Sequence, residues 1–249
     1  MATLATLRER LAGGVPLVAV SFGDDDAEGD AARARALGVD LAELRIDWYG
    51  STDPDYVLRA VAPFRAAGLP TLATIRSKAE GGHWPGDDAR RLALFEAVLP
   101  EVDAVDVELS SAAILPGVVA AAHAADRLVI VSYHDFDATP DEAALRATVE
   151  AAVAAGADFV KISTMALGPG DLRVLAGLLV RYDSMIVIGM GAEGAGSRVF
   201  FPLLGSRITY SAIGGRPAPG QLPFAETVRL LETFSPGYAE HRRAAGVRG

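Results

Sequence analysis
The chain has 249 residues, 51% hydrophobic and 22% charged, which is the size of one α/β barrel and enough apolar material for a large core. It contains no cysteine, which excludes disulfides, thiolate nucleophiles and Cys-based metal sites. A formal net charge of -9 opposes nucleic acid as a partner, no apolar run reaches the roughly 18–20 residues that cross a membrane, and the N-terminal stretch is charged where a secretory leader is apolar, so a cytoplasmic protein is expected.

Eight short apolar runs alternate with longer segments rich in Ala, Leu, Arg and Glu at helical spacing. The first run, 15–22, reads as a buried parallel strand. The acidic stretch 23–30 follows where a loop and a helix start belong, and a solvated loop is expected there rather than a metal site. The second strand, 41–47, carries Glu43, Arg45 and Asp47, which a period of two puts on one side. Asp53-Pro54 then marks a helix start. The third strand, 70–76, ends in Arg76, and its loop carries Lys78, Glu80, Gly81, Gly82 and His83. The fourth, 104–110, holds Asp106 and Glu108. The fifth, 127–134, runs into His134 and Asp135, with Thr139-Pro140, Asp141 and Glu142 opening the next helix. The sixth, 157–164, holds Lys161 and Ser163. The seventh, 185–191, ends around Met190, with Arg198 shortly after, and the eighth, 207–213, leads into a loop that includes Gln221. Gly38, Gly68 and Gly156 fall where helices should stop. No Pro/Gly/Ser-rich linker divides the chain, so it reads as one domain over 1–249, and eight βα units predict an α/β fold of the closed (β/α)8, or TIM-barrel, type.

In such a barrel the chemistry sits at the C-terminal ends of the strands, where these polar residues fall. Of the 23 basic residues only Lys78 and Lys161 are lysine. Arginine stays protonated, whereas a lysine amine can lose its proton and attack a carbonyl. Lys161 lies between apolar neighbours in a strand and must face the barrel interior. There it is either a nucleophile or a structural charge paired with Glu43 or Glu108. His134 ends a strand where it can work as general acid and base, or serve as a structural hydrogen-bonder. His123 and His241 read as surface or packing residues, and His83 borders the mouth. No two histidines have metal-ligand spacing, and no carboxylate-only metal site is clearly encoded. The stretch 189–194 matches G-x-G-x-x-G, the dinucleotide-binding pattern. It follows the seventh strand rather than the first, and no acidic residue closes the next strand. A glycine-rich ligand loop with Arg198 as anion clamp is the better reading.

These residues, taken in order, resemble the type I 3-dehydroquinate dehydratases, which work through a Schiff base. The motifs are Glu43-Leu44-Arg45-Ile46-Asp47, Thr74-Ile75-Arg76 with Glu80-Gly81-Gly82, Ser132-Tyr133-His134-Asp135-Phe136 with Thr139-Pro140, Val160-Lys161-Ile162, Gly196-Ser197-Arg198 and Ala218-Pro219-Gly220-Gln221. The resemblance covers nearly the whole chain. It implies that Lys161 forms an imine with the C3 ketone of 3-dehydroquinate and that His134 moves a proton from C2 to the departing C1 hydroxyl. Glu80 would orient His134. Glu43, Arg45 and Arg76 would hold substrate hydroxyls and order the pocket. Arg198 would pair with the substrate carboxylate, Gln221 would close over the ligand, Ser21 would touch substrate and Met190 would form pocket wall. It further implies syn elimination, a place in the shikimate pathway, a homodimer, and neither a metal nor an organic cofactor. The chain departs from the family at Pro217, where a serine is frequent, and at Ile188, where a methionine is frequent. The first removes a hydroxyl from the closing loop and stiffens it. A class I aldolase and a non-catalytic carboxylate-binding barrel are the alternatives.

Overall fold
A computed structural model describes residues 2–214 and 218–246. The strands are β1 (Leu17–Phe22), β2 (Leu41–Arg45), β3 (Thr71–Thr74), β4 (Ala104–Glu108), β5 (Leu128–Asp135), β6 (Phe159–Met165), β7 (Met185–Met190) and β8 (Ile208–Ser211). They form one parallel sheet in the order β7-β6-β5-β4-β3-β2-β1-β8. The sheet curls so that β7 returns beside β8, where Arg207 N donates to Met185 O at 2.9 Å. The result is a nearly closed (β/α)8 barrel.

The helices are α1 (Ala2–Ala12), α2 (Ala27–Leu37), α3 (Pro54–Ala66), α4 (Asp88–Val98), α5 (Leu115–Ala124), α6 (Glu142–Ala154), α7 (Pro169–Arg181), α8 (Gly191–Gly194), α9 (Ser197–Leu203), α10 (Phe224–Phe234) and α11 (Pro236–Ala244). Aspartates cap α2, α3, α4 and α6: Asp26, Asp53, Asp87 and Asp141 each accept a bond from a backbone N–H of the first turn. At α6 the cap is therefore Asp141. Thr139 instead donates to Met165 O at 2.8 Å, tying the β5–α6 loop to β6. Gly38, Gly68 and Gly156 take positive φ where α2, α3 and α6 end. The acidic stretch is loop and helix start: besides the Asp26 cap, Asp24 accepts from Gly50 N and Tyr56 OH.

Alternation along the strands divides the core in two. Val18, Val20, Leu44, Val105, Val107, Val129, Val131, Ile162 and Val187 pack outward against the helices. Leu17, Ala19, Leu41, Leu72, Ala104, Leu128, Ile130, Ile186 and Ile208 fill the interior. Apolar side chains occupy the inward positions at the N-terminal end of the barrel. Toward the C-terminal end those positions change to Ser21, Glu43, Asp106, His134 and Lys161, so a dry floor carries a polar site.

The sequence reading omits α1, which seals that floor. Its Leu4, Leu7 and Leu11 join the interior cluster of strand residues. The predicted second strand also shortens. It ends at Arg45, and Ile46–Trp48 form a 3-10 turn, so the expected same-side row of Glu43, Arg45 and Asp47 breaks after its second member. Leu7→Ala should therefore cost ~2–5 kcal/mol of unfolding free energy through the cavity it opens. Urea denaturation measures it, and a loss below ~1 kcal/mol would show that α1 does not seal the barrel.

Candidate active site
A cavity of about 270 Å3 opens at the C-terminal ends of the strands. Its wall brings together all ten residues singled out from sequence: Ser21, Glu43, Arg45, Arg76, Glu80, His134, Lys161, Met190, Arg198 and Gln221. His83 also borders it, as the loop reading anticipates. His123 is exposed on α5, 3.4 Å from Asp158.

Lys161 points inward because Val160 and Ile162 on either side pack outward. It is 4% exposed. Its Nζ lies 3.0 Å from Asp106 Oδ2, 3.1 Å from Tyr210 OH and 3.7 Å from Glu43 Oε1. Of the two carboxylates expected as structural partners, Glu43 approaches it, while Glu108 pairs instead with Arg76 and Arg91. Arg76 joins the two halves of this cluster. It contacts Asp106 Oδ1 at 2.8 Å, Glu108 Oε1 at 3.1 Å and Ser132 Oγ at 2.7 Å. Burial disfavours its charge, but the carboxylates outweigh burial and hold the guanidinium above its ordinary range. Burial likewise opposes ionisation of Asp106, yet Arg76 and Lys161 hold that carboxyl well below the usual carboxylate range. Arg76 thus orders the carboxylates at the base of the cavity and also lines it. Glu43 accepts from Ser21 Oγ and from Thr74 Oγ1, which fixes its direction. Arg45 binds Asp47 through two nitrogens, at 2.9 and 2.8 Å, and lies 4.1 Å above the Trp48 ring.

His134 lies one residue before the end of β5, one strand from Lys161. The register pairs Ser132 with Lys161 and His134 with Ser163. The imidazole Nδ1 is 2.9 Å from Glu80 Oε2, which also accepts the His134 backbone N–H at 2.9 Å, while Ser110 donates to the other Glu80 oxygen. A carboxylate receiving those donors selects the tautomer with hydrogen on Nδ1 and leaves Nε2 as the free base. Burial, then Arg76 and Lys161, pull His134 well below its ordinary value and keep it neutral. Burial pushes Glu80 up to about 7, despite the Ser110 bond and Arg76 acting the other way.

Among the described residues that line the cavity, Arg198 is the cation with no acidic partner. It is 3% exposed, its Nη2 reaches Pro219 O at 3.3 Å, and its Nε has no partner. Burial pulls it down to about 10. Gly191 N also donates to Pro219 O, which seats the Pro219–Gln221 segment across the β7 end. That contact explains two glycines. Gly191 and Gly220 both take positive φ, and a Cβ on Gly220 would come within 2.2 Å of Gly191 O. Gly194 lies against the Gly189 backbone in the same way. The G-x-G-x-x-G spacing therefore serves a tight turn and a docked loop. Gln221 lines the cavity, and its Oε1 accepts from Ala218 N. Pro217 lies outside the described residues. Ile188 is buried in the cavity wall beside Met190.

Three contributors are missing from the site list read from sequence. Asp106, noted in the sequence among the strand-end polar residues but given no role, and Tyr210, not singled out at all, occupy inward period-two positions of β4 and β8. Arg91 has no such position. It sits on α4, 1% exposed, and reaches Ile75 O, Ser111 Oγ and Glu108 only through the fold.

Residues 13–236 match the family model described as Type I 3-dehydroquinase. The 3-dehydroquinate dehydratase of Methanosarcina mazei is 36% identical over 211 residues, covering 80% of this chain and 87% of that protein. The crystal structure of the Aquifex aeolicus 3-dehydroquinate dehydratase superposes with a TM-score of 0.81 at 33% identity, covering 88% of this chain and 99% of that one. The Clostridium difficile type I enzyme gives a TM-score of 0.83 at 26% identity over 89% of this chain and 93% of that one.

The Glu80–His134 pair sets an expected pH profile. Glu80 must be ionised to hold Nδ1–H, so kcat/KM should fall as pH drops through about 7. Glu80→Gln should lose that acid limb and run about 10²-fold slower. An unchanged limb in the variant would assign the titration to another group.

Proposed function
Because the chain belongs to the type I 3-dehydroquinase family, and so acts as a 3-dehydroquinate dehydratase, we propose that it works through an imine between Lys161 Nζ and the C3 ketone of its substrate. The observation that carries this reading is the buried Lys161 amine in one cavity with His134, whose Nε2 is free as a base. Proton loss next to a ketone is slow because the carbanion is poorly stabilised. A protonated imine is the stronger electron sink and lowers that barrier. His134 takes the C2 proton, and the electrons move into an enamine. The enamine then expels the C1 oxygen, which receives a proton from His134 and leaves as water. One base serving both transfers requires both on one face, hence syn elimination. Water then releases the product, 3-dehydroshikimate, from Lys161.

Arg198 is assigned to the substrate carboxylate. A buried guanidinium with a free Nε and no acidic partner gains most from an incoming anion. Glu43, Arg45 and Arg76 hold hydroxyls and order the pocket, Ser21 touches substrate, Met190 supplies wall and Gln221 closes over the ligand. One catalytic domain, a homodimer, a cytoplasmic location and a step in the shikimate pathway complete the proposal on the family resemblance.

Borohydride reduction in the presence of 3-dehydroquinate should add a stable mass at Lys161, and Lys161→Ala should abolish turnover while the protein stays folded. Active enzyme with Lys161 unlabelled would sink the imine reading. Arg198→Met should raise KM roughly 10²-fold, with a smaller effect on kcat, as expected when a charged bond made in both ground and transition states is lost. A KM unchanged in steady-state assays would remove Arg198 from carboxylate binding.

A further inference from the structure
The imine reading gives no role to one hydroxyl that touches the reacting nitrogen. Tyr210 is 5% exposed on β8 and lines the cavity. Its OH is 3.1 Å from Lys161 Nζ, and its ring centroid is 4.3 Å from the same atom. We propose that Tyr210 is a further catalytic residue: its hydroxyl holds Nζ for attack, then hydrogen-bonds the carbinolamine oxygen as it departs. This rests on the imine reading and adds a group to its first covalent step.

The neighbours of Nζ differ in what they can do. Asp106 and Glu43 are acceptors when ionised. The phenol both accepts and donates, and among the described residues it accepts from Nζ and donates to none. While Lys161 is an ammonium, all three oxygens can receive its hydrogens. For attack, the ammonium gives one proton to His134 and the amine adds to the carbonyl carbon. A second proton passes from nitrogen to the new alkoxide, which gives the neutral carbinolamine. The C–O bond then breaks as the nitrogen lone pair forms C=N. The oxygen takes the proton held by His134 and leaves as water, so atoms and charge balance. The protonated imine keeps one N–H, which the Asp106 carboxylate claims by charge. The phenol is thereby released from accepting, and the carbinolamine oxygen is only two bonds from Nζ, within its swing.

Tyr210 donates this bond without surrendering its proton. Burial, then Glu43 and Asp106, hold the phenol well above its ordinary value, so a tyrosinate does not form there. Its contribution is that of an oriented dipole aimed at developing charge in a dry site.

Tyr210→Phe isolates the hydroxyl, because the ring and its contact with the ammonium remain. Loss of one such bond should lower kcat about tenfold, with KM within about threefold of the parent. In single-turnover mixing with 3-dehydroquinate, the rate at which borohydride-trapped adduct accumulates on Lys161 should fall about as much as kcat. A kcat and trapping rate within about twofold of the parent, or a change in KM alone, would reduce Tyr210 to pocket wall and overturn the proposal. If the phenylalanine variant does not fold, 3-fluorotyrosine at position 210, a stronger donor of nearly the same shape, decides the point. Adduct formation at least about twofold faster supports the role, and an unchanged rate overturns it. Absence of any adduct in the parent enzyme is a different failure: it overturns the imine reading, and this proposal with it.

Discussion
A chain of buried ion pairs runs from Arg91 through Glu108, Arg76 and Asp106 to Lys161, and the rest of the site is arranged around it. With Glu43 included, three cations face three carboxylates, each at most 4% exposed. Charges removed from water in this way are costly unless each is paired at contact distance, and deleting one member leaves an opposite charge stranded at on the order of 3–5 kcal/mol. Two consequences follow for the amine. Lys161 is held in place by neighbours that are themselves held, and its Nζ stays beside the Asp106 and Glu43 carboxylates. Arginine suits the two relay positions because its planar fork binds several oxygens at once.

His134 and Arg198 stand outside that balanced set. His134 has its own carboxylate, Glu80, on a loop rather than within the chain of pairs, although Arg76 and Lys161 lie close enough to act on the imidazole. The same burial acts in opposite senses on this pair: it lowers the imidazole, which stays neutral, and raises the carboxyl to about 7. Among the described residues Arg198 has no counter-ion, and a buried guanidinium in that state is unfavourable for the free protein and favourable for an anionic ligand.

The two ends of the barrel are built for different purposes. The N-terminal end is sealed by α1 and filled by leucine and isoleucine. The C-terminal end is covered by loops, and its glycines are there because backbone meets backbone: Gly220 rests on Gly191, and Gly194 on Gly189. A spacing that imitates a dinucleotide motif arises from packing, which is why strand position and the lack of a following acidic residue were the better guides.

By itself, the amino-acid sequence determined the barrel and most of the site. Strand runs of period two, aspartate caps and glycine stops are local properties, and local chemistry enforces them. Lys161, His134 and Arg198 were legible because each is out of place where it stands: a rare lysine inside an apolar strand, a histidine at a strand end, an arginine after a glycine-rich turn. Only the tertiary structure decided who their partners are. Asp106 lies 55 residues from Lys161, Tyr210 lies 49 away, and Glu80 lies 54 from His134. Arg91 reaches the cluster from a helix. The closing barrel creates these contacts by bringing inward side chains from separate strands into one dry space, where the charges they carry must find one another, and a sequence pattern carries no distance between strands.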